Sequence, residues 1–184
     1  DGGIHSHINH LFAMLDLCKK EEFSNVYVHA FLDGRDTLPI VALTYLDELD
    51  KKLKELGIGK LRDVSGRYYS MDRERMWNLT KEYYDLLVHN EGEKISSCKE
   101  YINASYEKGI MDEFIVPARL MDEGNLKEND GMVMVNFRPD RITQLFTAIT
   151  NKEFKEFERV DFKNTKLVTM MMPEHTVIST PAFP

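Results

Sequence analysis

The apolar residues of the chain recur at two spacings, one typical of helices and the other typical of strands. Apolar side chains three and four positions apart predict an amphipathic helix over 6–20, and the β-branched and aromatic run 26–31 predicts a strand. A second helix is expected from Pro39 to a stop at Gly57. Residues 61–65 predict a further strand, which two charged residues weaken.

The alternation continues in the second half of the chain. Ser97, followed three residues later by Glu100, forms a capping-box pattern that predicts the start of a helix running to about Lys108. The other predicted elements are helices over 73–89 and 139–149, a short strand at 114–116, the clearest buried strand at 132–137 and the last strand at 167–172.

Helices and strands that alternate in this way predict an α/β fold, a three-layer sandwich with a mainly parallel sheet flanked by helices. We expect residues 1–184 to form a single domain. The segment 173–184 contains three of the six prolines and is expected to be a linker-like tail.

Composition narrows the class of protein. With 184 residues, of which 42% are hydrophobic, the chain can bury a sizeable core and is not disordered. The net charge of −7 argues against a general nucleic-acid binder. No apolar run reaches the roughly 20 residues of a membrane span, and no signal-peptide pattern is visible. Because Cys18 and Cys98 lack metal-ligand spacing, we expect a reducing compartment, the cytoplasm.

The positions of the arginines are the most informative chemical feature. Five of the nine lie just after predicted strands or at the start of the helix that follows. In an open α/β sheet the carboxyl ends of the strands form the ligand crevice, and guanidinium groups match the oxygens of phosphate or carboxylate. This arrangement predicts a site for a small, multiply charged anion, such as a phosphorylated acid. Its arginines are Arg35, Arg67, Arg73, Arg138 and Arg141.

A structural role without a ligand is an alternative interpretation for each arginine. Taken singly, each can form a surface salt bridge with an aspartate beside it. In the segment DGRD, Asp33 and Asp36 flank Arg35 and can hold it in place. Alternatively, Asp36 acts as a base toward a substrate hydroxyl, or it simply caps the next helix.

The N-terminal segment DGGIHSH is a second candidate for chemistry. Its glycines permit a tight turn, and His5 follows near the start of a helix. The helix dipole lowers the pKa of a histidine at that position, which suits the ring to contact an anion or to move a proton. His5, His7 and His10 are an alternative set of metal ligands, but their spacing does not align them on one helical face. We therefore expect no metal site. His29, inside a strand, is expected to be hydrogen-bonded.

Five segments, DGGIHSH, HAFLDGRDT, GRYYSMDR, DEFIVP and NFRPDR, together resemble the motif series of the cofactor-independent (2,3-bisphosphoglycerate-independent) phosphoglycerate mutases. Their order matches, and such a series is far more specific than any one motif. The resemblance implies that the arginines grip the phosphate and carboxylate of phosphoglycerate, and that Asp36 is suited to accept a proton from the glycerate hydroxyl. It assigns substrate binding to His5, Arg35, Asp36, Arg67, Arg73, Arg138 and Arg141.

Enzymes of this family contain a transferase domain inserted into a metal-binding phosphatase-like domain, which is related to alkaline phosphatase. The resemblance implies that the phosphorylated serine, two manganese ions (Mn2+) and their ligands belong to the phosphatase-like domain, which has no counterpart in this sequence. The chain is therefore similar to most of the inserted domain alone. Its expected partners are 3-phosphoglycerate, 2-phosphoglycerate and the phosphatase-like domain, with no membrane and no nucleic acid.

Three functions are compatible with these residues. The first is part of a glycolytic isomerase that needs no added 2,3-bisphosphoglycerate and is inactive as this chain alone. The second is a non-catalytic binding module for a small phosphorylated metabolite. The third, a small metal hydrolase, is disfavoured because no nucleophile motif is present.

The resemblance also bears on the start of the chain. In the family the DGG turn follows directly on an apolar strand. Without that strand, we expect a strand such as 26–31 to have an unpaired edge, and the chain to self-associate or to be less stable. The alternative is that residues preceding Asp1 exist in the molecule.

Overall fold

The computed structural model describes residues 2–183, in which helices and strands alternate as predicted. The α/β class is confirmed, with sheets flanked by helices. The helices are α1 (Ile8–Lys20), α2 (Ala42–Leu56), α3 (Arg67–Ser70), α4 (Trp77–His89), α5 (Cys98–Glu107) and α6 (Thr143–Thr150), with 3₁₀ turns at Asp112–Phe114 and Pro139–Arg141. The strands are β1 (Tyr27–Leu32), β2 (Lys60–Gly66), β3 (Glu93–Lys94), β4 (Ala118–Arg119), β5 (Gly131–Met134), β6 (Lys166–Thr169) and β7 (Thr180–Pro181).

The described strands form two separate hydrogen-bonded sheets. The first has the order β1-β2-β4-β3 and the second the order β5-β6-β7. Every pair is parallel except β2 with β4, so the strands are mainly parallel as expected. Strands β1 and β5 each lie at an edge, and both precede segments that carry predicted site residues.

Helix ends agree with the local chemistry of the sequence. The Ser97 hydroxyl accepts a hydrogen bond from the Glu100 N–H at 3.2 Å, as the capping pattern predicts. Helix α2 ends at Gly57, whose φ of 66° lies in the left-handed region that favours glycine.

The start of α2 is set by a residue far away in sequence. The helix begins at Ala42 and not at Pro39, because the Asp112 carboxylate accepts hydrogen bonds from the N–H groups of Val41 and Ala42, both at 2.8 Å. Asp112 is only 1% exposed, and its own N–H donates to the Pro39 carbonyl. A remote carboxylate thus replaces the local cap that the sequence pattern suggested.

The helix predicted over 73–89 is shorter than expected. Asp72 accepts hydrogen bonds from the N–H groups of Glu74 and Met76, which holds the chain in a turn until α4 starts at Trp77. The Gln144 side-chain amide donates to Asp72 at 2.5 Å. This buried bond ties the segment carrying Arg73 to helix α6.

Several strand predictions were wrong in detail. Residues 114–116 do not form a strand, because Asp112–Phe114 is a 3₁₀ turn. The strand predicted at 132–137 is β5, which ends at Met134. Of its four residues, only Met134 is buried. The strand predicted at 167–172 is β6, and it is not the last. Within the segment 173–184, Thr180–Pro181 forms β7, and the Ala182 N–H donates to the Thr169 carbonyl at 2.7 Å.

The core lies on both sides of the strands. On one face, Val28 of β1 packs with Leu15 of α1 and Leu49 of α2. On the other face, Phe31 packs edge-on against Tyr83 of α4, within a core that also includes α6. The helices therefore form two layers, with α1 and α2 in one and α4 and α6 in the other.

Two of the three charged residues of β2 form a buried network. Arg62 and Asp63 are both fully buried and pair at 2.8 Å. Asp63 also accepts a hydrogen bond from the Tyr83 hydroxyl at 3.0 Å, and His29 of β1 lies 2.6 Å from it through Nδ1. The expected hydrogen bond of His29 is thus confirmed, and buried charges replace an apolar strand interior because each has partners.

Candidate functional site

Arg67 is the centre of the first part of the site. It follows β2 directly, is 2% exposed, and donates through Nη1 to Asp33 at 2.6 Å and to Asp36 at 2.7 Å. Its Nη2 lies 3.2 Å from His5 Nε2, which in turn lies 3.3 Å from Asp36 Oδ2. The ends of β1 and β2 and the N-terminal turn therefore meet at one place.

Asp33 organises this cluster, although the sequence motif pointed to its neighbours. Its Oδ1 accepts hydrogen bonds from the N–H groups of Arg35 and Asp36, at 3.1 and 2.9 Å, as well as from Arg67. Burial by itself raises the pKa of Asp33, but the hydrogen bonds from Asp36, Arg67 and Arg35 outweigh it, so this pKa is lowered. The signal for this role was the DGRD turn, in which an aspartate commonly bonds the N–H two residues on.

His5 is buried among charges of both signs. Its pKa is lowered, first by burial and then by the Arg67 charge, against the opposing effects of Asp140 and Asp36. The His5 carbonyl accepts a hydrogen bond from the Phe137 N–H at 2.8 Å, which fixes the N-terminal turn beside the end of β5. His5 Nδ1 and Arg67 Nε are buried polar atoms without a hydrogen-bond partner in residues 2–183.

The second part of the site contains the remaining arginines. Asp140 pairs with Arg73 and lies 2.9 Å from Arg138 Nε, so it bridges the segments after β2 and after β5. Arg141 donates to the Met71 carbonyl at 3.2 Å. Arg35 extends toward solvent and lies 3.4 Å from Glu113.

Electrostatics connects the two parts. Burial lowers the pKa of the Arg141 guanidinium first, followed by the positive charges of Arg67, Arg73 and Arg35. The arginines of the two parts are therefore close enough for the charge of one to affect the pKa of another. Carboxylates face these guanidinium groups closely, because Asp33, Asp36, Glu74, Glu113 and Asp140 each lie within 4 Å of at least one of them.

Exposure separates the arginines into two kinds. Arg35, Arg73 and Arg138 are 60%, 39% and 46% exposed, and they can reach a ligand from solvent. Arg67 is enclosed and holds Asp36 and His5 in place. Tyr68, next to it, contacts the rings of Tyr69 and Phe114 at the rim.

The N-terminal histidines do not form a metal-ligand set. His7 Nδ1 accepts a hydrogen bond from the Asn9 N–H, and the His10 ring packs against Phe137. Across residues 2–183, no group of three or more His, Cys, Asp or Glu side chains is arranged to hold a metal ion. The described helices also include none that is long and apolar enough to cross a membrane.

The fold and the site define an α/β domain with an arginine-rich crevice at the carboxyl ends of its strands, which is where open sheets of this kind bind ligands. The chain belongs to the family described as the BPG-independent PGAM N-terminus, whose sequence profile matches residues 1–174. It is 44% identical over 189 aligned positions to the 2,3-bisphosphoglycerate-independent phosphoglycerate mutases of Listeria welshimeri and Listeria monocytogenes. The alignments cover the whole of this chain and 37% of the length of each relative.

A solved structure agrees with this membership. A crystal structure of Leishmania mexicana phosphoglycerate mutase, determined at low cobalt concentration, superposes with a TM-score of 0.87 and 26% sequence identity. The match covers 94% of this chain and 34% of that one. The chain thus spans about a third of the length of the relatives it matches, and it corresponds to their N-terminal domain.

Proposed function

We propose that this chain is the substrate-binding part of a longer phosphoglycerate mutase, which interconverts 3-phosphoglycerate and 2-phosphoglycerate. The observation that carries the proposal is the arginine crevice, because a phosphoglycerate presents both a phosphate and a carboxylate. Exposed guanidinium groups from three separate segments can bind both ends of such a small molecule.

The exposed arginines are proposed to make the first contacts. Arg35, Arg73 and Arg138 are paired with carboxylates that are themselves accessible, so an incoming phosphate can replace those partners. Arg141 and Arg67 lie deeper and add positive charge behind them. Orientation of the substrate follows from two anionic groups bound at fixed positions.

Asp36 is proposed to accept the proton of the glycerate hydroxyl during phosphate transfer. The Asp36 carboxylate is held by Arg67 and lies beside His5, so its position is defined before a substrate arrives. His5 is the nearest group able to bind an anionic oxygen or to exchange a proton with Asp36.

The phosphate transfer itself is assigned to the rest of the polypeptide. The phosphoserine intermediate and the manganese ions expected from the resemblance belong to that part, and the described residues do not fit a metal site. In the same proposal, residues 1–184 are most of an inserted domain, and the whole protein is cytoplasmic.

Two measurements test the proposal. Titration calorimetry of this chain should detect binding of 3-phosphoglycerate, with weaker binding of glycerate, which lacks the phosphate. In the full-length protein, Asp36→Asn should lower kcat with little change in KM, whereas Arg138→Ala should mainly raise KM. Interconversion of 3-phosphoglycerate and 2-phosphoglycerate by this chain alone would overturn the assignment of phosphate transfer to the rest of the polypeptide. A full-length protein without mutase activity would overturn the proposed function.

A further inference from the structure

The side chain of Gln144 makes three hydrogen bonds in a buried position beside the crevice. Gln144 is 7% exposed and belongs to α6, three residues after Arg141. Its Oε1 accepts a hydrogen bond from the Arg75 N–H at 2.9 Å. Its Nε2 donates to Asp72 Oδ2 at 2.5 Å and to Thr80 Oγ1 at 2.6 Å. The amide oxygen and both amide hydrogens are therefore bonded to protein groups.

These partners require an acceptor and a donor on the same side chain. A backbone N–H only donates hydrogen bonds and a carboxylate only accepts them, so the group that joins Arg75 to Asp72 must do both. An asparagine is one methylene shorter and does not span the same distance. A carboxylate accepts from the Arg75 N–H, but it places a second negative charge against Asp72. Glutamine supplies both functions in an uncharged group.

The turn before α4 is held in a conformation that is uncommon for its residues. Arg75 has a φ of 60°, in the left-handed region that residues with a side chain rarely adopt. Asp72 accepts hydrogen bonds from the N–H groups of Glu74 and Met76, at 3.2 and 2.8 Å. Gln144 binds the N–H that lies between them in sequence. A left-handed backbone of this kind persists where the surrounding structure fixes it, and here two buried side chains do so.

The same contacts join two segments that carry arginines of the crevice. Arg73 lies in the turn that Asp72 and Gln144 hold, whereas Arg141 lies three residues before Gln144. Arg141 also donates to the Met71 carbonyl at 3.2 Å. The segment after α3 and the segment after β5 are therefore fixed relative to each other by these hydrogen bonds.

The surface contact of Arg73 is exchangeable, whereas its backbone support is buried. Arg73 pairs with Asp140, which also pairs with Arg138. In the proposed function an incoming phosphate replaces Asp140, and the contact between Asp72 and Gln144 then still holds the backbone at Arg73. A ligand with two anionic groups gains from both only if the guanidinium groups already have the matching spacing.

We infer that Gln144 is a positioning residue of the anion site, which fixes Arg73 relative to Arg138 and Arg141. Gln144 does not contact the ligand in this inference, and it acts through Asp72 and the backbone of the turn. The inference rests on the proposed function, because its ligand is a phosphoglycerate. Its consequence is that the affinity for a ligand with two anionic groups depends on the hydrogen bonds of a buried, uncharged side chain.

The test replaces Gln144 by glutamate in the full-length protein and measures the dissociation constant of 3-phosphoglycerate by titration calorimetry. Of the three partners of Gln144, Asp72 is the only charged side chain. The new carboxyl group therefore shares a proton with Asp72, and its pKa rises above the ordinary value of about 4.3. When protonated, it accepts from the Arg75 N–H and donates to Asp72, as the amide does.

The expected pH profile follows from that proton. We expect Gln144→Glu to bind 3-phosphoglycerate within about twofold of wild type at about pH 5.5, and about tenfold more weakly than wild type at about pH 8. Comparison with wild type at the same pH removes the titration of the ligand and of His5, which both proteins share. Gln144→Met has a similar length but makes none of the three hydrogen bonds, so it should bind about tenfold more weakly at both pH values.

Two further proteins separate positioning from general stability. In an Arg73→Ala background, Gln144→Glu should change the affinity by less than about twofold, because the guanidinium group that it misplaces is absent. Tyr83→Phe is a matched control, since it removes a buried hydrogen bond to Asp63, at 3.0 Å, outside both arginine segments. The control should leave the affinity for 3-phosphoglycerate unchanged.

A purely structural role of Gln144 gives a different result. Loss of folded protein lowers the number of binding sites per molecule and leaves the dissociation constant of the remaining protein unchanged. That result, or an affinity loss of the same size in the Arg73→Ala background, would overturn the inference. A wild-type protein that does not bind 3-phosphoglycerate would overturn the proposed function and this inference with it. Normal binding by wild type together with unaffected Gln144 variants at about pH 8 overturns the inference alone.

Discussion

Replacing Asp33 by asparagine removes one negative charge from the centre of the site while keeping its shape. The asparagine side chain retains an oxygen that can accept from the N–H groups of Arg35 and Asp36. What the substitution removes is the charged partner of Arg67, which donates to Asp33 Oδ1 at 2.6 Å. The substitution therefore measures how much this carboxylate contributes to holding Arg67.

The magnitude follows from the kinds of hydrogen bond involved. A hydrogen bond to a charged group contributes about 1.5–3 kcal/mol, against about 0.5–1.5 for a neutral one. The difference predicts that Asp33→Asn lowers the free energy of unfolding by about 1–1.5 kcal/mol at pH 7. In a chain of this size, such a change lowers Tm by about 2–6 °C.

The pH dependence is an independent check. Because the folded pKa of Asp33 is lowered below its usual 3.8, its stabilising contribution is fully present above that value. It is lost as the pH falls through the folded pKa. The difference between wild type and Asp33→Asn should therefore narrow below about pH 4.

Urea unfolding followed by circular dichroism at pH 7, 5 and 3 provides the measurement. Asp16→Asn is a matched control, because Asp16 pairs with Lys52 at 2.7 Å but is 53% exposed, and exposed pairs contribute little. We expect that control to change stability by less than about 0.5 kcal/mol. Equal stability of Asp33→Asn and wild type at pH 7, or a difference that does not narrow in acid, would refute the reasoning.

Three further predictions concern the crevice and its support. Arg138→Ala should weaken 3-phosphoglycerate binding about tenfold or more in titration calorimetry, because a charge-assisted hydrogen bond is lost, whereas Lys51→Ala should have no effect; equal affinities would remove Arg138 from the site. Since the pKa of His5 is lowered, the contribution of its neutral form to stability is complete above pH 6.5 and falls in more acid solution. A bound anion should raise the pKa of His5 in an NMR titration. A pKa that is the same with and without the anion would count against contact between His5 and the anion. Asp112→Ala should destabilise the chain by about 2–4 kcal/mol in urea, since two N–H groups at the start of α2 lose their acceptor; a loss under about 0.5 kcal/mol would mean that solvent replaces it.

Periodic patterns predicted most of the fold because they report local physics. The helices α1, α2 and α5 follow from apolar spacing and from end signals such as Ser97 and Gly57, which act within a few residues. The two-residue strands β3 and β4 have no such pattern. They pair only because the surrounding structure brings their backbones together.

Long-range contacts explain what local patterns missed. Neither the position of Asp112 at the start of α2 nor the bond between Gln144 and Asp72 has a sequence signature, since each joins residues about 70 positions apart. The charges of Arg62 and Asp63 weakened the prediction of β2, because the residues that bond Asp63 from other elements, His29 and Tyr83, cannot be identified from local sequence.

The candidate site was predictable in part. Arginines at the carboxyl ends of strands can be selected from topology alone, and their assignment as phosphoglycerate ligands stays a prediction. The bridging carboxylates could not be selected in the same way. Asp140 connects Arg73 to Arg138 only because two distant segments meet, and an aspartate beside an arginine is common in any surface loop.

The dispersal of the crevice along the chain affects how the protein is made. His5 leaves the ribosome well before Arg141, which follows about 140 residues later. At 5–20 residues per second, about 7 to 30 s separate the two during synthesis. For much of that interval Arg73 lacks Asp140, its partner in the folded chain. A ligand that needs all five arginines can therefore stabilise the protein only after synthesis has passed Arg141.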